Sequence, residues 1–268
     1  MEREDSPLVI LGGGYTGKVI WKHAVTSGRP VRITSREPDR NLESIPIDDR
    51  IRFELERAET WANLPEHARV IWTFPADSLR TLSRFIDCME KRISGLLVLG
   101  STSSYLAGGG NEPVLVDENT PLDPADRRGR GEELLRTRLN AIILRSAGIY
   151  GPNRNPLDWI RKGKLKNSSR MLNLIHVEDL AEFSLMALAS GATGEIYNLS
   201  DGHPKTVSEI VETAVRLGLL EPIPGNPEKG AGKIVSNRKV RLQFNYSFLH
   251  PDLFQALAEL ERANPASR

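Results

Sequence analysis

The chain has 268 residues, and its 36 basic and 35 acidic side chains give a formal net charge of +1. Hydrophobic residues make up 39% and charged residues 26%, which is ordinary for a globular protein and excludes a wholly disordered or collagen-like chain. The charge balance provides no overall field to hold nucleic acid or a membrane surface. The one cysteine, Cys88, excludes an internal disulfide and a cysteine-based metal cluster.

The first residues, 1–6, are charged and lead directly into an apolar run. A signal peptide would place an apolar stretch there, and no apolar run in the chain approaches the roughly 18 residues that a membrane helix needs. We therefore expect a cytoplasmic protein that has no membrane partner.

Short apolar runs alternate with amphipathic stretches over the first two thirds of the chain. The runs fall at 8–11, 31–34, 51–55, 70–73, 96–99 and 141–144. Buried strands of a parallel sheet appear as continuous apolar runs of this kind, and apolar residues at helical spacing over 77–93 predict a helix. Strands that alternate with helices predict right-handed crossovers and hence an α/β fold with a doubly wound parallel sheet of the Rossmann type.

The character of the sequence changes after Tyr150, where glycine, proline and polar residues predict loops. We predict a Rossmann core formed by residues 1–150 together with 179–203. Residues 151–178 together with 204–268 would form a small C-terminal lobe on the substrate side of the core.

Three local signals mark elements in the last third of the chain. The segment Ile-Tyr-Asn-Leu at 196–199 predicts a further strand. Thr206 is followed three residues later by Glu209, which is the spacing of a capping box at the start of a helix. Pro251 precedes an apolar stripe and is expected in the first turn of the last helix.

A Gly-Gly-Gly-Tyr-Thr-Gly sequence begins at Gly12, directly after the first predicted strand. In this position Gly12 would allow a tight turn, Gly14 would let the backbone approach a pyrophosphate, and Gly17 would let the helix pack closely on the sheet. Tyr15 and Thr16 would open a helix whose amino terminus offers N–H groups and partial positive charge to phosphates. The loop therefore predicts a dinucleotide site.

The residues after the second predicted strand bear on which dinucleotide binds. An acid at this place would favour NAD, because it can bind the ribose hydroxyls. Here Ser35 and Arg36 stand instead, and a guanidinium beside a small hydroxyl suits a 2′-phosphate. Glu37 follows one residue later, so we expect NADP as the cofactor and keep NAD as the alternative.

Further segments spread along the chain resemble one superfamily. They fall at 73–75, 101–105, 116–121, 148–152, 175–181 and 196–199. Together with the glycine loop they resemble the short-chain dehydrogenase/reductase superfamily, and most of all its atypical, extended NAD-dependent epimerase/dehydratase group. The resemblance implies further cofactor contacts from Thr73, Pro75, Ile149 and Tyr150. It also implies that Ser101 binds the substrate oxygen.

The Tyr-x-x-x-Lys pair that supplies the acid and base in active members is missing. None of the five tyrosines has a lysine four residues later. Alignment on the segment that follows the motif places Arg128 at the lysine position and Pro124 at the tyrosine position. Arginine could bind the nicotinamide ribose, but it cannot donate the proton because its pKa stays above about 12.

Three interpretations of the missing pair remain open. In the first, another group replaces the tyrosine, and the candidates are Tyr105, Tyr150, Asp126, Glu132 and His176. In the second, the reaction needs only hydride transfer and takes its proton from water. In the third, the protein binds a dinucleotide without turnover, as a sensor or an interaction protein.

The catalytic candidates are Ser101, Tyr105 and Arg128, around an expected substrate cleft that Tyr150 and the C-terminal lobe would complete. The leading function is an NAD(P)-dependent oxidoreductase, epimerase or dehydratase that acts on an unidentified small molecule. The alternative is a non-catalytic dinucleotide-binding protein.

Several other residues receive structural rather than functional roles. His176 is expected to bond to backbone at the start of a helix, and Asp179 to cap that helix. The five histidines form no spaced pair, so we expect no metal site. Cys88 lies on the predicted 77–93 helix and is expected in the core.

The remaining predictions concern two surface loops and the oligomeric state. The basic residues within 161–170 are expected to form a solvated loop, and with few aromatic residues nearby they predict no nucleic-acid partner. The glycines at 108–110 predict a loop beside Ser101. The resemblance implies a homodimer through the 77–93 helix and the helix after Arg128.

Overall fold

The computed structural model describes residues 6–106, 112–190 and 193–263. The expectations for residues 1–5 and for the glycines at 108–110 lie outside these ranges. No helix in the described ranges combines the length and the apolar character that crossing a membrane would need.

The described strands include one large sheet and three short pairs. They are β1 (Leu8–Leu11), β2 (Val31–Ser35), β3 (Arg50–Arg52), β4 (Ala68–Trp72), β5 (Ile93–Ser101), β6 (Val114–Val116), β7 (Ile142–Ser146), β8 (Gly148–Tyr150), β9 (Met171–Leu172), β10 (Leu174–His176), β11 (Ile196–Leu199), β12 (Lys205–Thr206) and β13 (Lys233–Val235). Within the described residues, seven of them form a sheet in the order β3-β2-β1-β4-β5-β7-β11. The pairs β1–β2, β1–β4, β2–β3 and β4–β5 are parallel.

Helices connect the strands. They are α1 (Tyr15–Thr26), α2 (Pro38–Asn41), α3 (Leu79–Met89), α4 (Arg127–Leu139), α5 (Pro156–Arg161), α6 (Val177–Ser190), α7 (Val207–Arg216), α8 (Arg238–Phe244) and α9 (Leu253–Ala263). Short 3-10 turns lie at Ile47–Asp49, Ala58–Asn63 and Thr102–Ser104. Strand order reverses between β1 and β4, because β2 and β3 lie on one side of β1 while the later strands lie on the other. This order is that of a doubly wound Rossmann sheet, and the predicted fold class is confirmed.

The chain divides into two compact units. The first is Met1–Ser104, Leu122–Arg145 and Ala181–Tyr197, and the second is Tyr105–Pro121, Ser146–Leu180 and Asn198–Arg268. This division differs from the predicted domains chiefly at Tyr105–Pro121, which the sequence-based boundary assigns to the core.

The core of the first unit is built around one phenylalanine on α3. The ring of Phe85 makes edge-to-face contacts with Trp61, Trp72 and Phe53 at centroid distances of 5.3, 5.5 and 5.9 Å. Such pairs add about 0.5–1.5 kcal/mol beyond the area that they bury. These ring contacts hold α3 against β4, which carries Trp72. In the sheet, β4 lies next to β1 on the side opposite β2.

Helices α3 and α4 pack against each other in the first unit. Gly131 of α4 lies against the segment that leads into α3, because a Cβ there would overlap the backbone oxygen of Ala76 and would come within 3.0 Å of Leu82 Cδ1 on α3. The homodimer expected through these two helices stays a prediction.

Element bounds agree with the sequence at two mostly buried strands and at one helix start. The strand at Leu8–Leu11 and the strand at Ile196–Leu199 have the predicted limits, and the Thr206 capping box is confirmed. Cys88 is exposed, so its predicted place in the core is wrong: it lies on the solvent side of α3. The last helix begins at Leu253, and the Asp252 carboxylate accepts its first N–H groups.

Candidate functional site

The glycine loop joins β1 to α1, and its shape depends on two threonines, one on β2 and one directly after β4. Gly12 has φ +107°, and a Cβ there would lie 2.6 Å from Thr73 Oγ1, so only glycine suits the position. The Gly12 N–H donates to Thr34 Oγ1 at 2.9 Å. The Thr73 hydroxyl lies 2.9 Å from the Gly12 oxygen and can donate to it. The turn is therefore held from both sides.

The other two glycines of the motif meet opposite environments. A Cβ on Gly17 would overlap the Gly12 backbone oxygen, which means that the first turn of α1 rests directly on the loop. A Cβ on Gly14 would have no heavy atom within 4 Å, and Gly14 is exposed. In the described residues no side chain caps the amino terminus of α1, and its first turn holds no acid. This end can accept an anion.

A cavity of about 580 Å³ lies over the loop within the first unit. Its lining residues are Gly12, Gly13, Gly14, Lys18, Thr34, Ser35, Arg36, Asn41, Phe53, Glu54, Leu55, Glu56, Phe74, Pro75, Asp77 and Ser78. They combine backbone and cations from the ends of β1 and β2 with apolar side chains. A cavity with an apolar wall and a few convergent polar groups is typical of a small-molecule site.

The charged residues at the end of β2 divide into free and paired groups. Arg36 lines the cavity, and it forms no ion pair or hydrogen bond with the described residues. Glu37 instead pairs with Arg40, one turn along α2, at 3.3 Å. The cation is thus available to the cavity, while the neighbouring acid is directed to another partner.

The cavity also contains acids, and two of them have partners. Glu54 pairs with Arg57 at 3.2 Å. The Thr81 hydroxyl donates to Glu56 at 2.7 Å, and this bond is the largest of the effects that lower the pKa of Glu56. Lys18, on the exposed side of α1, adds a second cation to the lining.

The predicted cofactor residues fall into two groups. Those that line the cavity are Gly12, Gly14, Ser35, Arg36 and Pro75. Thr73 and Gly17 shape the loop from below, and Tyr15 and Thr16 open α1. Ile149 and Tyr150 belong to the second unit. The prediction missed Lys18, Asn41 and the segment 53–56, which also line the cavity. They belong to no sequence motif, and they lie in α1, in α2 and after β3, in the segments that connect the strands.

The end of β5 is filled by a buried carboxylate. Glu132 of α4 is fully buried and lies 3.1 Å from Arg145 Nε and 3.3 Å from Arg128 Nε. The Ser101 N–H donates to its Oε1 at 3.2 Å. A Cβ on Gly100 would come within 2.8 Å of the carboxylate. Burial raises the pKa of Glu132, and the two guanidiniums oppose that rise.

Two of the catalytic candidates lie at this strand end. The Arg128 guanidinium donates to the Leu99 carbonyl at 2.9 Å, so it is directed to the strand as well as to Glu132. The Ser101 hydroxyl is 2.8 Å from that of Ser103. Asp126, another candidate, caps α4 by accepting the N–H groups of Arg128 and Gly129.

The two candidate tyrosines are buried in the second unit. The Tyr105 hydroxyl donates to Asn198 Oδ1 at 2.6 Å, and the side chain is 1% exposed. Tyr150 is fully buried in the apolar cluster of this unit. Burial, followed by nearby acids such as Asp201, raises the pKa of Tyr150 well above its ordinary value. These placements argue against both residues as proton donors.

His176, at the end of β10, accepts a hydrogen bond from the Glu178 N–H at 3.3 Å through Nδ1, as expected for a helix start. Burial, and then the neighbouring His250, lower the pKa of His176 to about 4. Sequence spacing missed that His176, Glu178 and His250 come together, with potential ligand atoms within 4.8 Å of one another.

Asp179 has a different role from the one predicted. Its carboxylate accepts the Leu249 N–H at 2.6 Å, the His250 N–H at 3.0 Å and the Tyr246 hydroxyl at 3.0 Å. The prediction that Asp179 caps its own helix is therefore wrong. Asp179 lies within the first turn of α6, and its carboxylate binds the segment that precedes α9. Burial raises the pKa of Asp179, and these hydrogen bonds oppose the rise.

A second cavity of about 560 Å³ lies within the second unit. Arg238 and Arg241 of α8 line it together with Tyr246. Neither guanidinium has an ion-pair or hydrogen-bond partner among the described residues. The cavity therefore offers two cations to a ligand.

Comparison with known proteins identifies the architecture. No protein-family model matches the chain. It is 28% identical over 183 residues to Protein YeeZ of Escherichia coli (strain K12). That match covers 65% of this chain and 65% of YeeZ, just under two thirds of the relative's length.

Solved structures match over almost the whole chain. A functionally unknown conserved protein from Silicibacter pomeroyi DSS matches at TM-score 0.77 and 24% identity, over 96% of this chain and 99% of that one. A short-chain dehydrogenase/reductase superfamily protein from Agrobacterium tumefaciens with bound NAD matches at 0.75 and 18%, over 97% of each. The chain has the fold of the short-chain dehydrogenase/reductase superfamily.

An epimerase is also among the solved structures that share this fold. A nucleoside-diphosphate-sugar epimerase from Pseudomonas aeruginosa matches at TM-score 0.74 and 17% identity, over 97% of this chain and 98% of the other. The predicted resemblance is confirmed at the level of the fold, across both units of the chain.

Proposed function

We propose that this short-chain dehydrogenase/reductase fold binds a nicotinamide dinucleotide in the cavity of the first unit. The observation that carries the proposal is the open face of Gly14 at the uncapped amino terminus of α1. A pyrophosphate there would meet backbone N–H groups and the positive end of the helix dipole, with Lys18 nearby. The bound NAD of the Agrobacterium structure supports the same class of ligand.

Within this proposal, NADP is the preferred dinucleotide. Arg36 faces the cavity without a partner in the described residues, and it can bind a 2′-phosphate with a forked pair of hydrogen bonds. Glu37, the acid that could instead bind the ribose hydroxyls of NAD, pairs with Arg40. The charge arrangement therefore favours the phosphorylated ribose.

Fluorescence titration with NADPH and NADH tests the cofactor. We expect NADPH to bind more tightly, and Arg36→Ala to weaken NADPH by about tenfold or more, because a hydrogen bond to a charged group contributes roughly 1.5–3 kcal/mol. NADH affinity should change little. Arg32→Ala is the matched control, since Arg32 is exposed on β2, the strand that leads to Arg36, and does not line the cavity. Equal losses for both variants would contradict the assignment of Arg36.

Catalysis is a separate matter, and the contacts of the acid and base candidates favour a non-catalytic binder as the second candidate function. Tyr105 is hydrogen-bonded in a buried site, Glu132 is held by two arginines, and Tyr150 is buried in an apolar cluster. An oxidoreductase, epimerase or dehydratase built on this chain would therefore take its proton from water or another source.

A turnover screen separates the two functions. Reduction of the cofactor is followed over nucleotide sugars, keto acids and aldehydes. Anionic compounds come first, because Arg238 and Arg241 line the second unit's cavity. Turnover abolished by Ser101→Ala would support an enzyme. Tight NADPH binding without turnover on any compound would support a sensor or interaction protein.

A further inference from the structure

Three side chains in the second unit form a compact set of metal-ligand types. His176 ends β10, Glu178 lies in the first turn of α6, and His250 lies just before α9. The His250 Nε2 is 2.7 Å from Glu178 Oε2, and the His176 Nδ1 is 4.0 Å from the same oxygen. We propose that His176, Glu178 and His250 form a binding site for a divalent transition-metal ion, with Zn²⁺ the best fit.

The donor set favours zinc over the harder cations. Two imidazoles and one carboxylate are ligands that Zn²⁺ accepts, and this combination leaves a fourth position for water. Magnesium and calcium prefer sites built from oxygen ligands alone. Glu178 and His250 are 42% and 20% exposed in their side chains, so an ion and its water can reach the site from solvent.

The backbone that carries these ligands is already fixed. Asp179, next to Glu178 on α6, accepts the N–H of His250 at 3.0 Å and that of Leu249 at 2.6 Å. His176 is 4% exposed and contacts the ring of Tyr150 edge-on at 5.1 Å. Two ligands are therefore positioned by tertiary contacts before any ion binds, which reduces the ordering that binding requires.

Only small movements would bring the ligand atoms to metal-binding distances. Tetrahedral Zn²⁺ with bonds of about 2.0–2.2 Å separates its ligand atoms by roughly 3.4 Å. The two distances to the Glu178 oxygen, 2.7 and 4.0 Å, lie on either side of this value. The Glu178 N–H donates to His176 Nδ1, which identifies Nδ1 as the nitrogen with a lone pair. The metal would replace this long, 3.3 Å hydrogen bond.

The competing state is the one with no ion, in which the ring centroids of His176 and His250 lie 3.6 Å apart with the ring planes tilted by 36°, and His250 Nε2 lies 2.7 Å from Glu178 Oε2. The experiment therefore titrates tag-free, chelator-treated full-length protein with Zn²⁺ against a chromophoric chelator, and with Co²⁺ by visible absorption. We expect one tightly bound ion per chain, and a Co²⁺ spectrum of a four- or five-coordinate site. A spectrum unchanged from that of aqueous Co²⁺ would overturn the proposal.

Variants assign the ligands. His250→Ala and Glu178→Gln should each weaken Zn²⁺ by about tenfold to 100-fold or more, since even outer-shell changes have effects of that size. His203→Ala is the matched control, because His203 is an exposed histidine of the same unit outside the cluster; it should leave the affinity unchanged. Equal weakening by the control, or no weakening by the two ligand variants, would contradict the site.

Circular dichroism of the metal-free variants checks that they fold. If His250→Ala does not fold, the half-exposed Glu178→Gln decides the assignment. NADPH binding, measured on the same samples, depends on the first unit and should persist in all variants, so failure of the metal site leaves the dinucleotide proposal intact.

Discussion

The carboxyl ends of β1 and β5 belong to one sheet and one unit, yet the space beyond them differs: it is open after β1 and occupied by a side chain after β5. After β1 the chain turns through glycines, and Gly14 has no heavy atom near its Cβ position. After β5 the space is occupied by the carboxylate of Glu132, which is held by Arg128 and Arg145. One strand end is open and the other is filled from within.

This difference bears on both proposed functions. Parallel α/β sheets bind ligands at the carboxyl ends of their strands, around the point where strand order reverses. The open end lies next to that point, between β1 and β4. The resemblance implies a substrate-binding serine at the β5 end, and the charged side chains at that end, Glu132, Arg128 and Arg145, pair with one another. The open end therefore supports the proposed dinucleotide site, while Glu132 at the filled end is held by two arginines.

The largest expected effect comes from removing the charge of Glu132, which pairs with Arg128 and Arg145 at the end of β5. Glu132→Gln should lower the free energy of unfolding by about 3–5 kcal/mol, because Arg145 is 2% exposed and would lose its counterion. Urea denaturation measures the change. Glu133→Gln is the matched control on the same helix: its pair with Arg136 is partly exposed, so the loss should stay below about 1 kcal/mol. Similar losses for both would show that the buried network does not stabilise this strand end.

A smaller effect is expected at the open end. Gly17→Ala should destabilise the protein by about 1–3 kcal/mol through overlap with the Gly12 oxygen, and should abolish NADPH binding because the loop must shift. Gly14→Ala should keep the wild-type unfolding midpoint, since its Cβ meets nothing, and should still weaken NADPH. The comparison fails if Gly14→Ala binds NADPH normally, because the open face would then not be the phosphate site.

The smallest effect concerns the buried tyrosine. Tyr105→Phe removes the hydrogen bond to Asn198 and should lower the free energy of unfolding by about 0.5–1.5 kcal/mol. Thermal unfolding measures the loss, and NADPH affinity serves as the internal control and should not change. If a substrate is found, undiminished turnover in this variant would agree with a structural Tyr105, and loss of turnover at wild-type stability would contradict it.

The parts of the fold that the sequence predicted are those set by local pattern. The limits of β1 follow from a short, buried apolar run, those of β11 from a mostly buried segment of four residues, and the Thr206 capping box from a spacing of three residues. The helix at 77–93 was predicted too long at both ends, since α3 covers only Leu79–Met89 and β5 already begins at Ile93. Boundaries of that kind depend on neighbouring strands rather than on periodicity.

The site was predictable where a motif is contiguous, and less so where it is assembled by tertiary contacts. Gly12, Gly14, Ser35 and Arg36, which were predicted from their place after strands, and Pro75, which the resemblance implied, all line the cavity. Glu132 was weighed only as a proton donor, because nothing in its local sequence shows that Arg145 approaches it. His250 was missed as a neighbour of His176 because it is brought there by the hydrogen bonds of Asp179, which join segments far apart in the chain.

The two threonine hydroxyls beneath the glycine loop have a consequence for how a ligand would associate. Because Thr34 and Thr73 already hold Gly12 in its unusual conformation, an arriving phosphate finds its donors oriented. Little backbone freedom is then lost on association, and more of the interaction energy is expressed as affinity. The turn is therefore held in place before a ligand binds. The hydrogen bonds that hold it come from residues at the ends of two neighbouring strands rather than from the loop itself.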